Sequence, residues 1–221
     1  MNVELPSGIE AMNPFLDQDT IEICKLFYNK YYGDNFKRHL ILGINPGRFG
    51  GGITGIPFTD PIRLQNICGI ENTWQKKQEL SSLFVYDMIR AYGGPEKFYQ
   101  EFYISSIVPL GFTRGNKNLN YYDDKQLEES VKEFVIASLK QQLSFGINTD
   151  AVFCLGEGKN FAYLSKLNLE YKLFDNVVPL SHPRFIMQYK LKKKDEYIAK
   201  YLEALSFTRV HNHGIKPRNK N

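Results

Sequence analysis

The chain has 221 residues, of which 43% are hydrophobic and 24% are charged, so it suits one domain with a sizeable core rather than two. No apolar run approaches the ~18 residues of a membrane helix, and the first 14 residues lack the apolar core of a secretory signal. The three cysteines are widely spaced, which argues against a disulfide framework or a Cys-rich metal site. We therefore expect a protein of the reducing cytoplasm. The net charge of +4 permits a polyanionic partner without requiring one.

Apolar spacing and turn residues predict an alternation of helices and strands. The predicted helices cover residues 17–32, 80–92, 95–100, 124–143, 159–167 and 192–206. The predicted strands are apolar runs at residues 38–44, 102–108, 150–155 and 176–180. Residues 113–122 are polar and predict a loop, and the basic residues 208–221 predict a disordered tail after a single domain of residues 1–207. The alternation predicts an α/β fold, a three-layer α/β/α sandwich around a central, mainly parallel sheet of four strands.

The most informative segment is the glycine-rich loop of residues 43–58, which follows the first predicted strand. It contains six glycines and two prolines. Glycine lets a ligand approach the main chain closely, and proline stiffens the same loop. Asn45 near its start offers an amide for hydrogen bonds, and Phe58 at its end offers a ring that can stack on a flat ligand.

Two further polar residues lie near or just beyond the carboxyl ends of predicted strands. Ser106 lies near the end of the second strand, and His182 comes directly after the last one. Because the carboxyl ends of parallel strands meet at one edge of a sheet, we expect Asn45, Ser106 and His182 to lie close together. Pro183 restricts the backbone of His182 to an extended conformation, which favours a fixed position for the imidazole.

These segments resemble the uracil-DNA glycosylase superfamily, most closely the bacterial subfamily of its single-strand-selective monofunctional branch. The resemblance spans residues 38–190. It is carried by Asn45-Pro46-Gly47, by Thr54-Gly55-Ile56-Pro57-Phe58 and by His182-Pro183. It implies a monomeric DNA-repair enzyme of the bacterial cytoplasm, without cofactor or metal, that hydrolyses the N-glycosidic bond of uracil in single- or double-stranded DNA and leaves an abasic site.

The resemblance also implies a role for each matched residue. Asn45 corresponds to the residue that positions the hydrolytic water, and His182 to the histidine that hydrogen-bonds uracil O2 as charge builds there. Phe58 corresponds to the aromatic residue that stacks on the flipped base. Ile44 and Gly51 correspond to positions whose backbone groups contact the base and the water.

At two of the base-binding positions, the residue differs from one that other members of the family have. Ser106 stands where the family usually has an asparagine that reads the uracil edge, and a hydroxyl offers fewer simultaneous hydrogen bonds than an amide. We therefore expect looser base discrimination, unless another group supplies the missing contact. Gly47 stands where some branches have a bulky aromatic residue that excludes thymine. The resemblance thus implies room near the pyrimidine C5 and activity on 5-hydroxymethyluracil.

A third group of residues is predicted to contact DNA. The His-Pro pair is followed by Arg184-Phe185-Ile186-Met187 rather than by the family's usual Ser-Pro-Arg. We predict that the apolar side chains of this tetrapeptide form a wedge that fills the vacated base stack; the alternative is that they pack into the core. Basic side chains nearby would meet phosphates and make binding sensitive to salt. The predicted DNA contacts are Arg48, Arg184, Phe185, Ile186, Met187 and Lys190.

The sequence leaves two other functions open. One is a non-catalytic nucleic-acid-binding protein on the same fold, which the departure at Ser106 favours. The other is an enzyme that acts on a free nucleoside or nucleotide, which the absence of phosphate-binding and paired-carboxylate motifs disfavours.

Overall fold

The computed structural model describes residues 3–212, with side chains for residues 3–206. The strands are β1 (Glu10–Met12), β2 (Arg38–Gly43), β3 (Phe102–Ser106), β4 (Gly111–Arg114), β5 (Lys117–Leu119), β6 (Ile147–Leu155) and β7 (Asn176–Leu180). The helices are α1 (Gln18–Tyr32), α2 (Gly51–Thr54), α3 (Pro61–Asn66), α4 (Leu80–Tyr92), α5 (Pro95–Glu101), α6 (Lys125–Leu143), α7 (Lys159–Tyr171), α8 (Pro183–Tyr189) and α9 (Lys194–Asn212). None of these helices is long and apolar enough to cross a lipid bilayer.

The centre of the molecule is a four-stranded parallel sheet with the strand order β3-β2-β6-β7. Every residue of β2 is buried. Leu40 and Leu42 pack into one hydrophobic cluster, whereas Ile41 between them packs into another. Because successive side chains of a strand point to opposite faces, both faces of the sheet must be covered. The predicted α/β/α sandwich is confirmed.

The two outer layers are built from different parts of the chain. Helices α1, α4, α5, α8 and α9 contribute to the cluster on the face of Ile41, with Phe84 and Tyr201 among its fully buried side chains. Helices α6 and α7 cover the other face, where Leu127 and Leu164 are fully buried. With side chains locked on both faces, the sheet is a rigid platform for the loops at its carboxyl edge.

The prediction of a loop over residues 113–122 is wrong. Strands β4 and β5 form a hairpin within this stretch, and β1 pairs with the other edge of β4 to give a three-stranded antiparallel sheet. The two residues between the strands, Gly115 and Asn116, have φ angles of +54° and +59°. Two consecutive residues of positive φ match the twist of a tight hairpin, which is why Gly and Asn occupy these positions.

The C-terminal boundary also differs from the prediction. Helix α9 continues to Asn212, so residues 208–212 are helical rather than part of a disordered tail. No proline or glycine interrupts the sequence between Lys194 and Asn212, so nothing in the chain ends the helix earlier. The remainder of the predicted tail, residues 213–221, lies outside the described residues.

Candidate active site

The carboxyl edge of the central sheet holds a narrow cavity of about 80 Å³. Asn45 lies two residues beyond β2, Ser106 is the last residue of β3, and His182 lies two residues beyond β7. All three side chains line this cavity, together with Phe58. The predicted residues Ile44, Gly47, Gly51 and Arg184 line it as well. We call it the inner cavity.

The glycine-rich loop keeps its shape through hydrogen bonds that Thr54 forms within the Thr-Gly-Ile-Pro-Phe motif and with the residue after it. The buried hydroxyl of Thr54 donates to the carbonyl of Thr59 (2.7 Å) and accepts from the amide of Ile56 (3.2 Å). Gly55 has a φ of +69°, and a Cβ at this position would lie 2.7 Å from Sγ of Cys24. Both features require glycine there, because other residues are strained at such angles and the space is already filled.

The ring of Phe58 forms one wall of the inner cavity. Phe58 has a φ of +54°, an angle that costs a non-glycine residue of order 1–3 kcal/mol and that must be maintained by the surrounding contacts. Its ring lies against Gly43, where a Cβ would come within 2.6 Å of Cζ. The ring centroid is 6.1 Å from that of His182, with the planes 50° apart. A flat ring bound between them would have an aromatic face on one side and an imidazole at its edge.

The side chain of Asn45 is fixed by two hydrogen bonds, one to the last residue of the hairpin and one to the segment that follows it. Its Nδ2 donates to the carbonyl of Leu119 (3.2 Å), and its Oδ1 accepts from the amide of Tyr121 (3.2 Å). One partner can only accept and the other can only donate, so this pair determines which end of the amide is oxygen. An amide oxygen has two lone pairs, and the second one can bind a water molecule.

His182 is the N-cap residue of α8, and its Nδ1 accepts a hydrogen bond from the amide of Arg184 (3.1 Å). An accepting Nδ1 leaves the ring proton on Nε2. Burial is the main cause that lowers the pKa of His182 to about 4, and the nearby Arg184 lowers it further. At neutral pH the imidazole is therefore uncharged and carries a single N–H, on Nε2.

Ser106 faces the inner cavity with a free hydroxyl. The residue is 4% exposed, and no group of the described chain forms a hydrogen bond with its Oγ. The hydroxyl is therefore available to a ligand, to which it can donate one hydrogen bond while accepting another.

Glu79 lines the inner cavity and was missed by the sequence analysis. It precedes α4 in the N-cap position, yet its side chain caps no backbone amide of that helix. Instead its Oε2 accepts a hydrogen bond from the buried hydroxyl of Ser82 (2.8 Å). The only local signal was an acidic residue at the start of a predicted helix, which ordinarily indicates a cap.

The carboxyl group of Glu79 lies over the glycine-rich loop. A Cβ at Gly47 would lie 2.9 Å from Oε1, and a Cβ at Gly50 would lie 2.0 Å from Oε2. The space that the sequence analysis inferred beside Gly47 is thus partly filled by a carboxyl group. Burial raises the pKa of Glu79 to about 7, Asp60 adds to the increase, and Ser82 and Arg184 oppose it.

A wider groove of about 460 Å³ adjoins the inner cavity. We call it the outer groove. It is lined by the basic side chains of Arg48, Lys117 and Arg184. It shares Glu79, Ser81, Asn118 and Arg184 with the inner cavity. A ligand in the inner cavity can therefore continue directly into a cationic channel.

The predicted apolar wedge needs correction. Residues 183–189 form helix α8, and the helix turns Ile186 (0% exposed) and Met187 (8% exposed) into the hydrophobic core. Neither side chain can reach DNA in this structure. Phe185 remains 42% exposed, and its ring lies 5.7 Å from that of Tyr189, one helical turn later.

The predicted basic contacts lie in different places. Arg184 lines both cavities, and Arg48 lines the outer groove, where its guanidinium donates to the carbonyl of Asn116. Lys190 is exposed at the end of α8 and lines neither cavity.

Among the residues whose side chains are described, no cluster of His, Cys, Asp and Glu could hold a metal ion.

Comparisons with known proteins identify the family of this chain and a similar solved structure. A profile described as the uracil DNA glycosylase superfamily matches residues 30–206. Among solved structures, the crystal structure of wild-type SMUG2 from Pedobacter heparinus is similar to this one, with a TM-score of 0.91 and 53% sequence identity. The alignment covers 96% of this chain and 92% of that chain. A comparison with curated proteins gave no match.

Proposed function

The chain belongs to the uracil DNA glycosylase superfamily and is a hydrolase of N-glycosyl bonds, and we propose that it releases uracil from DNA by a monofunctional mechanism that leaves an abasic site. The observation that carries this proposal is the convergence of Asn45, Phe58 and His182 on one narrow cavity beside a cationic groove. We propose 5-hydroxymethyluracil as a second substrate. We also propose that the protein acts as a monomer in a reducing bacterial cytoplasm, which agrees with its three free, buried cysteines.

The geometry suits a reaction that separates charge. Breaking the bond from uracil N1 to the sugar leaves negative charge on the base and positive charge on the deoxyribose. The Nε2–H of neutral His182 can donate to the base O2 as that charge develops, while the ring of Phe58 stacks on the base. Asn45 is a very weak base, so we assign it to orienting the water. Among the described residues that line the inner cavity there is no lysine, in keeping with hydrolysis without strand cleavage.

We propose that Phe185 and the predicted basic contacts bind the DNA next to the flipped nucleotide. Of the predicted wedge, only Phe185 is exposed, and we propose that it fills part of the vacated stack. Arg48 and Arg184 would bind phosphates in the outer groove, and Lys190 would bind more peripherally.

The proposal is tested with oligonucleotides that contain one uracil, one 5-hydroxymethyluracil or only normal bases. We expect alkali-labile abasic sites in the first two, in single- or double-stranded form, and intact strands without alkali. Tight DNA binding without any base release would instead support a non-catalytic nucleic-acid-binding protein. Equally efficient hydrolysis of free deoxyuridine would support a nucleoside enzyme. Strand breaks without alkali would contradict the monofunctional assignment.

Ser106 is expected to limit base discrimination. In the Ser106→Asn variant an amide replaces a hydroxyl and can donate and accept along the base edge at the same time. We expect the ratio of uracil release to 5-hydroxymethyluracil release to rise several-fold, within the range of ~1–3 kcal/mol that one specific contact supplies. The measurement compares single-turnover rates on the two oligonucleotides, with Ser130→Asn on the partly buried side of α6 as a control. An unchanged ratio would show that position 106 does not read the base.

A further inference from the structure

The two cavities define the position of the deoxyribose, provided that the function proposed above is correct. The base occupies the inner cavity, between Phe58 and His182, and the phosphates occupy the outer groove, which contains Arg48 and Lys117. The sugar joins base to phosphate, so it must lie where the two cavities meet. Glu79 lines both cavities and therefore lies at that junction.

The contacts of Glu79 leave one carboxylate oxygen free. Oε2 accepts the hydrogen bond from Ser82, whereas no group of the described chain donates to Oε1. The free oxygen lies beside Gly47, two residues beyond Asn45, where the ideal Cβ would be 2.9 Å away. Glu79 and Asn45 line the same inner cavity, in which Asn45 would hold the water.

We infer that Glu79 faces the deoxyribose during the reaction, stabilises the positive charge that develops there and accepts a proton from the hydrolytic water. A carboxylate in a partly desolvated site attracts a developing cation much more strongly than it would in bulk water. Neither Asn45 nor Ser106 can take up a proton at neutral pH. Glu79 supplies both the charge and the base that these residues lack.

The chemical step balances with Glu79 as the base. The C1′–N1 bond breaks, and its electron pair leaves with the base, whose O2 accepts a hydrogen bond from His182. The water oxygen, oriented by Asn45, forms the new bond to C1′ and gives one proton to Glu79. Glu79 then returns this proton to solvent, and the released base anion is protonated in solution.

Burial is the main reason why the pKa of the Glu79 carboxyl lies near neutrality. Burial and the carboxylate of Asp60, whose Oδ2 accepts from the Glu79 amide (2.9 Å), raise its pKa, and Ser82 and Arg184 oppose the increase. Arg48 and Lys117 line the same groove. Because the pKa is about 7, a rate that requires the carboxylate should fall as the pH is lowered through neutrality.

The main experiment compares wild type, Glu79→Gln and Glu71→Gln in single-turnover uracil release across a pH series. Glu71 is an exposed carboxylate on the same connection between α3 and α4 and serves as the matched control. We expect Glu79→Gln to slow release by about 100-fold, the typical contribution of a general base. We also expect it to abolish the decrease in rate at low pH, which is the acid limb of the pH–rate profile. Glu71→Gln should retain both the rate and the limb.

A second variant acts on Glu79 without replacing it. The Ser82 hydroxyl stabilises the carboxylate and lowers its pKa, so Ser82→Ala should move the acid limb to higher pH. A structural role for Glu79 would not move the limb in this direction.

The inference also predicts the DNA affinity of Glu79→Gln. An oligonucleotide with 2′-fluorodeoxyuridine resists hydrolysis, and this variant should bind it at least as tightly as wild type does, because no negative charge then faces the DNA.

Three results would overturn the inference: a wild-type rate in Glu79→Gln, an acid limb that persists in this variant, or weakened binding of the fluorinated oligonucleotide together with a lowered melting temperature. These outcomes are distinct from a failure of the proposed function. If wild type releases no uracil, the proposed function itself is wrong. If wild type is active and His182→Ala is impaired, but Glu79→Gln is fully active, only the role of Glu79 is wrong.

Discussion

His182→Ala is expected to slow uracil release by about 100-fold or more, because one preorganised donor to a developing anion typically contributes 10²–10³ in rate. The imidazole is neutral, its Nδ1 is occupied by the Arg184 amide, and its Nε2–H is the donor left for the base. The same substitution removes the N-cap of α8, which costs about 1 kcal/mol of stability. Folding should therefore survive while turnover is nearly lost.

The measurement is the single-turnover rate together with a thermal melt. Gln188→Ala is the control, since Gln188 is an exposed polar residue on the same helix. It should leave the rate unchanged. A wild-type rate in His182→Ala would remove the residue from the mechanism, and an unfolded variant would show that its capping role dominates. His182→Gln, which offers an amide N–H donor on a shorter side chain, should recover part of the rate if hydrogen bonding is the cause.

The pH dependence of stability gives an independent readout of His182. Its pKa is lowered from 6.5 to about 4 in the folded protein. Between these values the unfolded chain binds a proton that the folded chain does not bind. The stability of wild type therefore decreases as the pH falls from 6.5 towards 4, and that of His182→Ala should decrease less over the same window. Denaturant melts of the two proteins at several pH values measure this difference.

The site residues that were predicted from the sequence are those whose positions are determined by their own neighbours along the chain. The Thr-Gly-Ile-Pro-Phe motif fixes its own loop through the Thr54 hydroxyl, and His182 is placed by Pro183 at the end of a strand. Their meeting at one edge follows from the parallel sheet, which the alternation of helices and strands predicted. These residues needed only local conformation and the strand direction.

The parts that were missed depend on contacts between segments. Leu119 and Tyr121, which hold Asn45, belong to a hairpin and turn that were predicted as a loop because their polar residues outweighed the Gly115-Asn116 turn signal. Glu79 reaches the site only because the connection before α4 crosses the glycine-rich loop. No spacing in the sequence indicates that crossing.

Helix α8 illustrates a different error. Phe185, Ile186 and Met187 were treated alike because they are consecutive apolar residues following a proline. Pro183 is compatible with the first turn of a helix, and once the helix forms, neighbouring residues point in different directions. Burial then separates Phe185 at the surface from Ile186 and Met187 in the core. Helical periodicity, applied to the sequence alone, would have separated the exposed residue from the two buried ones.

Asn45→Ala is the second substitution with a large expected effect, a loss of about 100-fold in uracil release. Orienting a reactant contributes through geometry, and misplacing it by about 1 Å can cost 10² in rate. The Asn45 amide is anchored to Leu119 and Tyr121, so its free lone pair has one fixed direction. Alanine removes both the orienting oxygen and the link between the glycine-rich loop and the hairpin.

The single-turnover rate and the affinity for 2′-fluorodeoxyuridine DNA separate these two consequences. We expect near-normal affinity with a much lower rate, because Phe58 and His182 still define the base cavity. Asn29→Ala, at an exposed position of α1, is the control and should match wild type in both measurements. A parallel loss of affinity and rate would mean that Asn45 acts mainly by supporting the cavity wall. A wild-type rate would mean that the water is held by another group, and the Glu79 carboxylate lines the same cavity.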